Sequence, residues 1–335
     1  MGLTEQDEYL HAPPDDSGHL WSDNFWFSVV DREADVYGIN HIHASRSHGY
    51  LRASAMYVID GIAHQWASRQ PLDPATERFD VLGDQRISFE VIEPFTRYRW
   101  HLDHQRFSFD LNFDVRFETF DYADCLGGNP LAAYEGYGGH YEQALDCRGW
   151  FEAGGGPSAG ERRQIECWSH RDHSWTHRFV QESPWEPRTH RTWSNSLGHW
   201  WPSIQLPERH INAFGWMRPD QPLPDGSPVV GGWVGDAAGS RPIRSGRCVP
   251  RLEDDGRTAM AFDMEFELAD GETLTVQTGR KHAQTRNGLM RDDNDAEVRL
   301  DCYEPFFDFE VLETGERGYG VVEYSINPPL PRYRF

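Results

Sequence analysis

Apolar and polar residues alternate with period two along most of the chain. The clearest run is "FSFDLNFDVRFETF" at 107–120, where Phe107, Phe109, Leu111, Phe113, Val115 and Phe117 alternate with Ser, Asp, Asn, Asp, Arg and Glu. That spacing predicts a strand with one buried and one wet face. Similar runs begin at 50 ("YLRASAMYVID"), 87 ("ISFEVIEPF"), 98 ("YRWHLD"), 259 ("AMAFDMEFELAD") and 320 ("GVVEYSI"), with turn signals such as "LADGET" between them. Helical periodicity is nearly absent, and the short "NPLAAYEGYG" near 129 carries Pro130 and several glycines. The pattern predicts an all-β chain of antiparallel barrels or sandwiches.

Two interruptions organise the pattern. "EAGGGPSAGER" at 152–162 separates "HYEQALDCRGWFE" from "QIECWSH" and predicts the loop of a long hairpin. The proline-flanked "QESPWEPRTHR" at 181–191 is the better domain boundary. It divides the 335 residues into an N-terminal β domain, 1–185, and a C-terminal β domain, 186–335, each long enough for an eight-stranded barrel.

Composition narrows the partners. Acidic residues outnumber basic ones 54 to 32, a formal charge of -22 that repels phosphate backbones and anionic membranes. Nucleic acid is therefore not expected as a partner. Five scattered cysteines with no C-x-x-C pair fit a reducing compartment. The start of the chain lacks the apolar core of a signal peptide, and no stretch approaches the length of a membrane span. A cytoplasmic protein without stable membrane insertion is expected, and a homodimer is compatible with this composition. No G-x-G-x-x-G or P-loop stretch supports a nucleotide, no G-x-S-x-G elbow supports a serine nucleophile, and no cofactor is expected.

Titratable residues concentrate at "SHRDHSWTHR", 169–178. Alternation places Asp172 and Ser174 on one strand face and Arg171, His173 and Trp175 on the other. A bulge would exchange the faces, so either set could line a barrel. A carboxyl group in an aromatic pocket can donate a proton that a neighbouring imidazole relays. Asp172 is the proposed donor, His173 the relay, Arg171 the group positioning the carboxylate and Trp175 a pocket wall. An ion pair between Asp172 and Arg171 with a purely structural role is the competing reading.

In "GYGGHYEQ", Glu142 is an alternative acid, with His140 and Tyr141 beside it after a glycine-rich approach open to a ligand. Trp26, Trp100, His199 and Trp201 are further candidates for binding a substrate, and the paired Trp200 and Trp201 must point to opposite faces. Metal ligation is weighed because there are 16 histidines: His41 and His43 share a strand face with His48 further on, as do His101 and Asp103. The sequence identifies no convergent third ligand, so no metal site is assigned.

These stretches resemble the two-domain lipocalin-like (calycin) proteins of the hydroxyneurosporene synthase, or carotenoid 1,2-hydratase, group. Plant tocopherol cyclases and some fungal Diels–Alderases are similar in architecture. The likeness is to bacterial members carrying "HYEQ" followed by "RDHSW", matched at His140–Gln143 and Arg171–Trp175. The group's element of the type D-[RH]-[EQ]-W falls on Asp172, His173, Ser174 and Trp175, and Ser174 departs from its acidic or amide residue. The resemblance implies two consecutive lipocalin-like barrels more strongly than it implies hydratase chemistry.

The combined expectation is a cofactor-independent lyase or isomerase, of hydratase, dehydratase or cyclase type. It would act on a hydrophobic terpenoid or polycyclic small molecule in an aromatic-lined pocket. The alternatives are a non-catalytic carrier of a hydrophobic metabolite, and a metal-dependent enzyme using the histidine pairs.

Overall fold

In a computed structural model the described residues are 2–13, 21–129, 137–177, 198–216, 226–292 and 295–326. Both the helical candidate's 130–136 and the 181–191 boundary stretch lie outside them. The fold is nearly all β, with two closed or nearly closed antiparallel barrels, as the alternation predicts. No described helix is long and apolar enough to cross a membrane.

A short 3-10 turn, Glu5–Glu8, precedes the first barrel. Its strands are β1 (Trp21–Asp31), β2 (Val36–Ser45), β3 (Tyr50–Ile59), β4 (Ile62–Pro71), β5 (Val81–Gly83) and β6 (Ile87–Glu93). They continue with β7 (Arg97–Leu102), β8 (Phe107–Val115), β9 (Phe120–Asp121), β10 (Tyr137–Ala153) and β11 (Arg162–His177). Hydrogen bonding runs β4-β3-β2-β1-β11-β10-β8-β7-β6-β5, so the chain's eleventh strand closes against its first. The glycine-rich segment between β10 and β11 is the predicted hairpin loop.

The second unit contains β12 (Gly198–Gln205), β13 (Arg209–Trp216), β14 (Ser227–Asp236), β15 (Gly239–Leu252), β16 (Ala259–Leu268), β17 (Thr273–Asp292), β18 (Asp295–Val311) and β19 (Glu316–Ile326). Each strand pairs with the next and β19 pairs with β12, which closes the barrel and leaves no edge. Its core is apolar, built around Trp200, Phe262, Phe307 and Tyr324.

Inside the first barrel, alternate residues of β1, β6, β7 and β8 interdigitate. Phe27 contacts the rings of Phe89, Tyr98, Trp100 and Phe113, with centroids 5.0–5.9 Å apart. Trp100, a substrate-binding candidate from the sequence, is fully buried in this packing. The glycines before β10's polar stretch have a similar explanation. A Cβ on Gly139 would lie 2.2 Å from Trp175 Cζ2, and one on Gly138 2.4 Å from Trp175 Cδ1. Gly138 and Gly139 therefore leave room for the Trp175 indole.

Candidate functional site

Strand β11 separates its side chains as alternation requires. Arg171, His173 and Trp175 face the barrel interior, whereas His170, Asp172 and Ser174 occupy the outer face. The two faces have different chemistry.

On the interior side, Arg171 is completely buried and its guanidinium meets the equally buried Glu8 from the N-terminal turn. It also donates to Tyr98 Oη at 2.7 Å and Gln143 Oε1 at 2.8 Å. Glu8 accepts further bonds from the Phe95 backbone N–H at 2.8 Å and Tyr98 Oη at 2.9 Å. Burial disfavours the guanidinium charge, but Glu8 together with the Tyr141 and Tyr98 hydroxyls outweighs it and keeps Arg171 above its ordinary range. Arg171 therefore does not position the Asp172 carboxylate, which lies across the sheet from it.

His173 also departs from its expected role. Its ring stacks on Phe25 at 4.1 Å, and its Nδ1 lies 3.3 Å from Tyr141 Oη. Burial, reinforced by Arg171, holds its pKa well below the ordinary imidazole value. Facing the interior, it cannot relay a proton to Asp172 on the opposite face. Trp175 is packed between Gly138 and Gly139 and against the His11 ring at 3.8 Å.

The outer face brings together what the sequence kept apart. Asp172 pairs in register with Glu142 on one side and with Trp26 on the other, and Trp26 pairs with His41. The adjacent row holds His43, Asn24, Ser174 and His140. Four adjacent strands thus present one polar row beside another.

At its centre Glu142 is fully buried between two imidazoles. His140 Nε2 lies 2.9 Å from Glu142 Oε1 and 3.2 Å from Asp172 Oδ2, and His170 Nε2 contacts Glu142 Oε2. Ser174 Oγ donates to Asp172 Oδ1 at 3.1 Å. The ring of Tyr122 covers His140 at 4.4 Å, and Trp26 meets His170 edge-on at 5.9 Å. Burial depresses the His170 pKa to about 3, partly opposed by Asp172, so its imidazole is neutral at pH 7. Asp172 retains 21% side-chain exposure, against 0% for Glu142 and 1% for His140. A contiguous path therefore leads from a buried carboxyl group through an imidazole to a carboxyl group open to solvent.

His41 Nε2 and His43 Nδ1 both approach Asn24 Oδ1, at 3.0 and 3.3 Å. They share the face that the sequence predicted but converge on an amide. His101 lies 3.9 Å from Asp110, and neither it nor Asp103 joins a potential ligand set. Among the described residues the groups whose donor atoms could converge on a metal are His140, Glu142 and Asp172; His199, Cys302 and Glu323; and His11, Asp23 and His173. His199 belongs to the second barrel, where it is held by Glu323 at 2.9 Å and Ser325 at 3.0 Å. Trp201 packs on Phe214 at 4.6 Å in that barrel. An open surface cleft of about 400 Å³, lined by residues including Arg99, Asp110 and Trp150, contains none of the candidate acids.

Sequence reasoning missed His170, Asn24, Asp23, His11 and Glu8. Asp23 carried a detectable signal, because it shares the core face of β1 with Trp21, Phe25 and Phe27, where a carboxyl group requires a partner. Glu8 and His11 lie in a segment without periodicity and carried none.

Fold and side chains together define an all-β protein of two barrels, the first bearing a buried carboxyl–imidazole cluster on its outer face. Residues 4–328 match the family model described as "Domain of unknown function (DUF7064)", and the chain belongs to that family. No curated protein matches the chain. Among solved structures it is similar to kievitone hydratase from Nectria haematococca, with 14% identity and a TM-score of 0.57 over 96% of this chain and 92% of that one. At this identity the likeness establishes the shared two-barrel fold.

Proposed function

We propose that the protein is a cofactor-independent lyase or isomerase, of hydratase, dehydratase or cyclase type, acting on a hydrophobic terpenoid or polycyclic small molecule. The observation that carries this reading is the Glu142–His140–Asp172 path, which couples a dry carboxyl group to a part-exposed one through a single imidazole nitrogen. Two carboxyl groups that meet one nitrogen titrate as a coupled set and can hold a proton between them. The two-barrel layout shared with a hydratase is consistent with this chemistry.

Asp172 is assigned as the group that exchanges a proton with the substrate, with His140 as the relay and Glu142 as the internal proton store. Protonation of an alkene carbon leaves a carbocation, and the indole of Trp26, paired with Asp172 across the sheet, offers a π face to that charge. Addition of water and return of its proton to Asp172 completes a hydration; the reverse order is a dehydration. His170 holds Glu142 from the other side and acts through it.

The test combines mass spectrometry of small molecules extracted from the purified protein with incubation of an alkene and alcohol panel. Wild type, Asp172→Asn and His140→Asn are compared at matched folding by circular dichroism. A product formed by wild type is expected to fall by at least about 100-fold in either variant, as loss of a general acid requires. A ligand recovered unchanged from all three would refute catalysis and identify a carrier.

A further inference from the structure

The N-terminal segment meets the inward face of the first barrel at a second cluster, across β11 from the proposed site. His11 Nδ1 lies 2.7 Å from Asp23 Oδ1, and His173 Nε2 points to the same oxygen from 3.6 Å. The three donor atoms fall within 4.8 Å of one another. Asp23 and His173 are buried.

The outward nitrogens of both rings are already engaged. His11 Nε2 faces Asp7 Oδ1 at 3.4 Å, and His173 Nδ1 faces Tyr141 Oη at 3.3 Å. That leaves Nδ1 of one ring and Nε2 of the other directed at a common carboxylate, with outer partners of the kind that orient metal-binding imidazoles. Stacking fixes the ring planes: His11 lies 3.8 Å from Trp175 with 5° between planes, and His173 lies 4.1 Å from Phe25.

We propose that His11, Asp23 and His173 bind one divalent transition-metal ion of the zinc class, which fastens the N-terminal segment to the inward face of the first barrel. Two imidazole nitrogens and one carboxylate oxygen suit zinc, whereas calcium and magnesium require more oxygen ligands. The site does not involve Asp172, His140 or Glu142, so its test is independent of the proposed reaction.

The experiment uses the full chain without a histidine tag, stripped with a chelator and equilibrated with zinc chloride before gel filtration and elemental analysis. Folded His11→Gln and Asp23→Asn are each expected to hold one equivalent of zinc fewer than wild type. The thermal midpoint of wild type should drop on chelation, whereas that of the variants should not. Asp7→Asn should weaken binding about tenfold through the outer partner of His11. His11 lies on the terminal segment, and if Asp23→Asn does not fold, His11→Gln alone decides. The proposal is overturned if wild type takes up no zinc, or if a folded variant retains the wild-type stoichiometry.

Discussion

Replacing Glu8 by Gln would leave the Arg171 guanidinium charged, fully buried and without its counter-ion. The carboxylate accepts from Arg171, from the Phe95 N–H and from Tyr98 Oη, and neither Glu8 nor Arg171 has measurable exposure. Gln preserves shape and one acceptor oxygen, so the change isolates the charge. Breaking a buried pair by removing one partner costs about 3–5 kcal/mol. At a urea slope of about 2 kcal/mol/M, the midpoint of the first barrel should fall by about 1.5–2.5 M. Urea unfolding followed by far-ultraviolet circular dichroism, with the slope compared between proteins, measures this directly. The double replacement Glu8→Gln with Arg171→Met should be less damaging than the sum of the two single changes, because it removes the orphaned charge. A midpoint shift below about 0.5 M for Glu8→Gln would refute the reading of Arg171 and Glu8 as a buried, mutually dependent ion pair.

Acid should weaken the first barrel through His170. Its folded-state pKa of about 3 lies below the ordinary 6.5, so the unfolded chain binds the extra proton and stability is complete above pH 6.5 and lost as pH falls toward 3. From this residue alone the loss between pH 6.5 and 5 is about 1.6 kcal/mol, and His170→Gln should remove that much of the pH dependence of the unfolding free energy measured in urea. Gly139→Ala should cost about 1–3 kcal/mol, because its new Cβ collides with the Trp175 indole; an unchanged melting temperature would contradict that packing. All five cysteines are buried as free thiols, so a thiol reagent should titrate none in the native protein and five after unfolding; rapid native labelling would contradict their burial.

Period-two alternation made the strands legible because a side chain's face depends only on its neighbours in the chain. Phe107–Val115 emerged as β8, and "EAGGGPSAGER" as the turn joining β10 to β11. The same local rule separated Asp172 from His173 and identified the stretches that carry His140, Glu142 and Asp172. It could not decide which face of β11 turned inward, because that depends on how β1, β10 and β11 close on one another. Tertiary structure decided the partners: Arg171 went to Glu8, 163 residues away, and Asp172 went to His140. Nor could it predict that Gly138 and Gly139 make room for an indole. Alternation is a property of the local backbone, whereas proton relays and buried ion pairs are properties of strand register between segments distant in sequence, which only the folded sheet fixes.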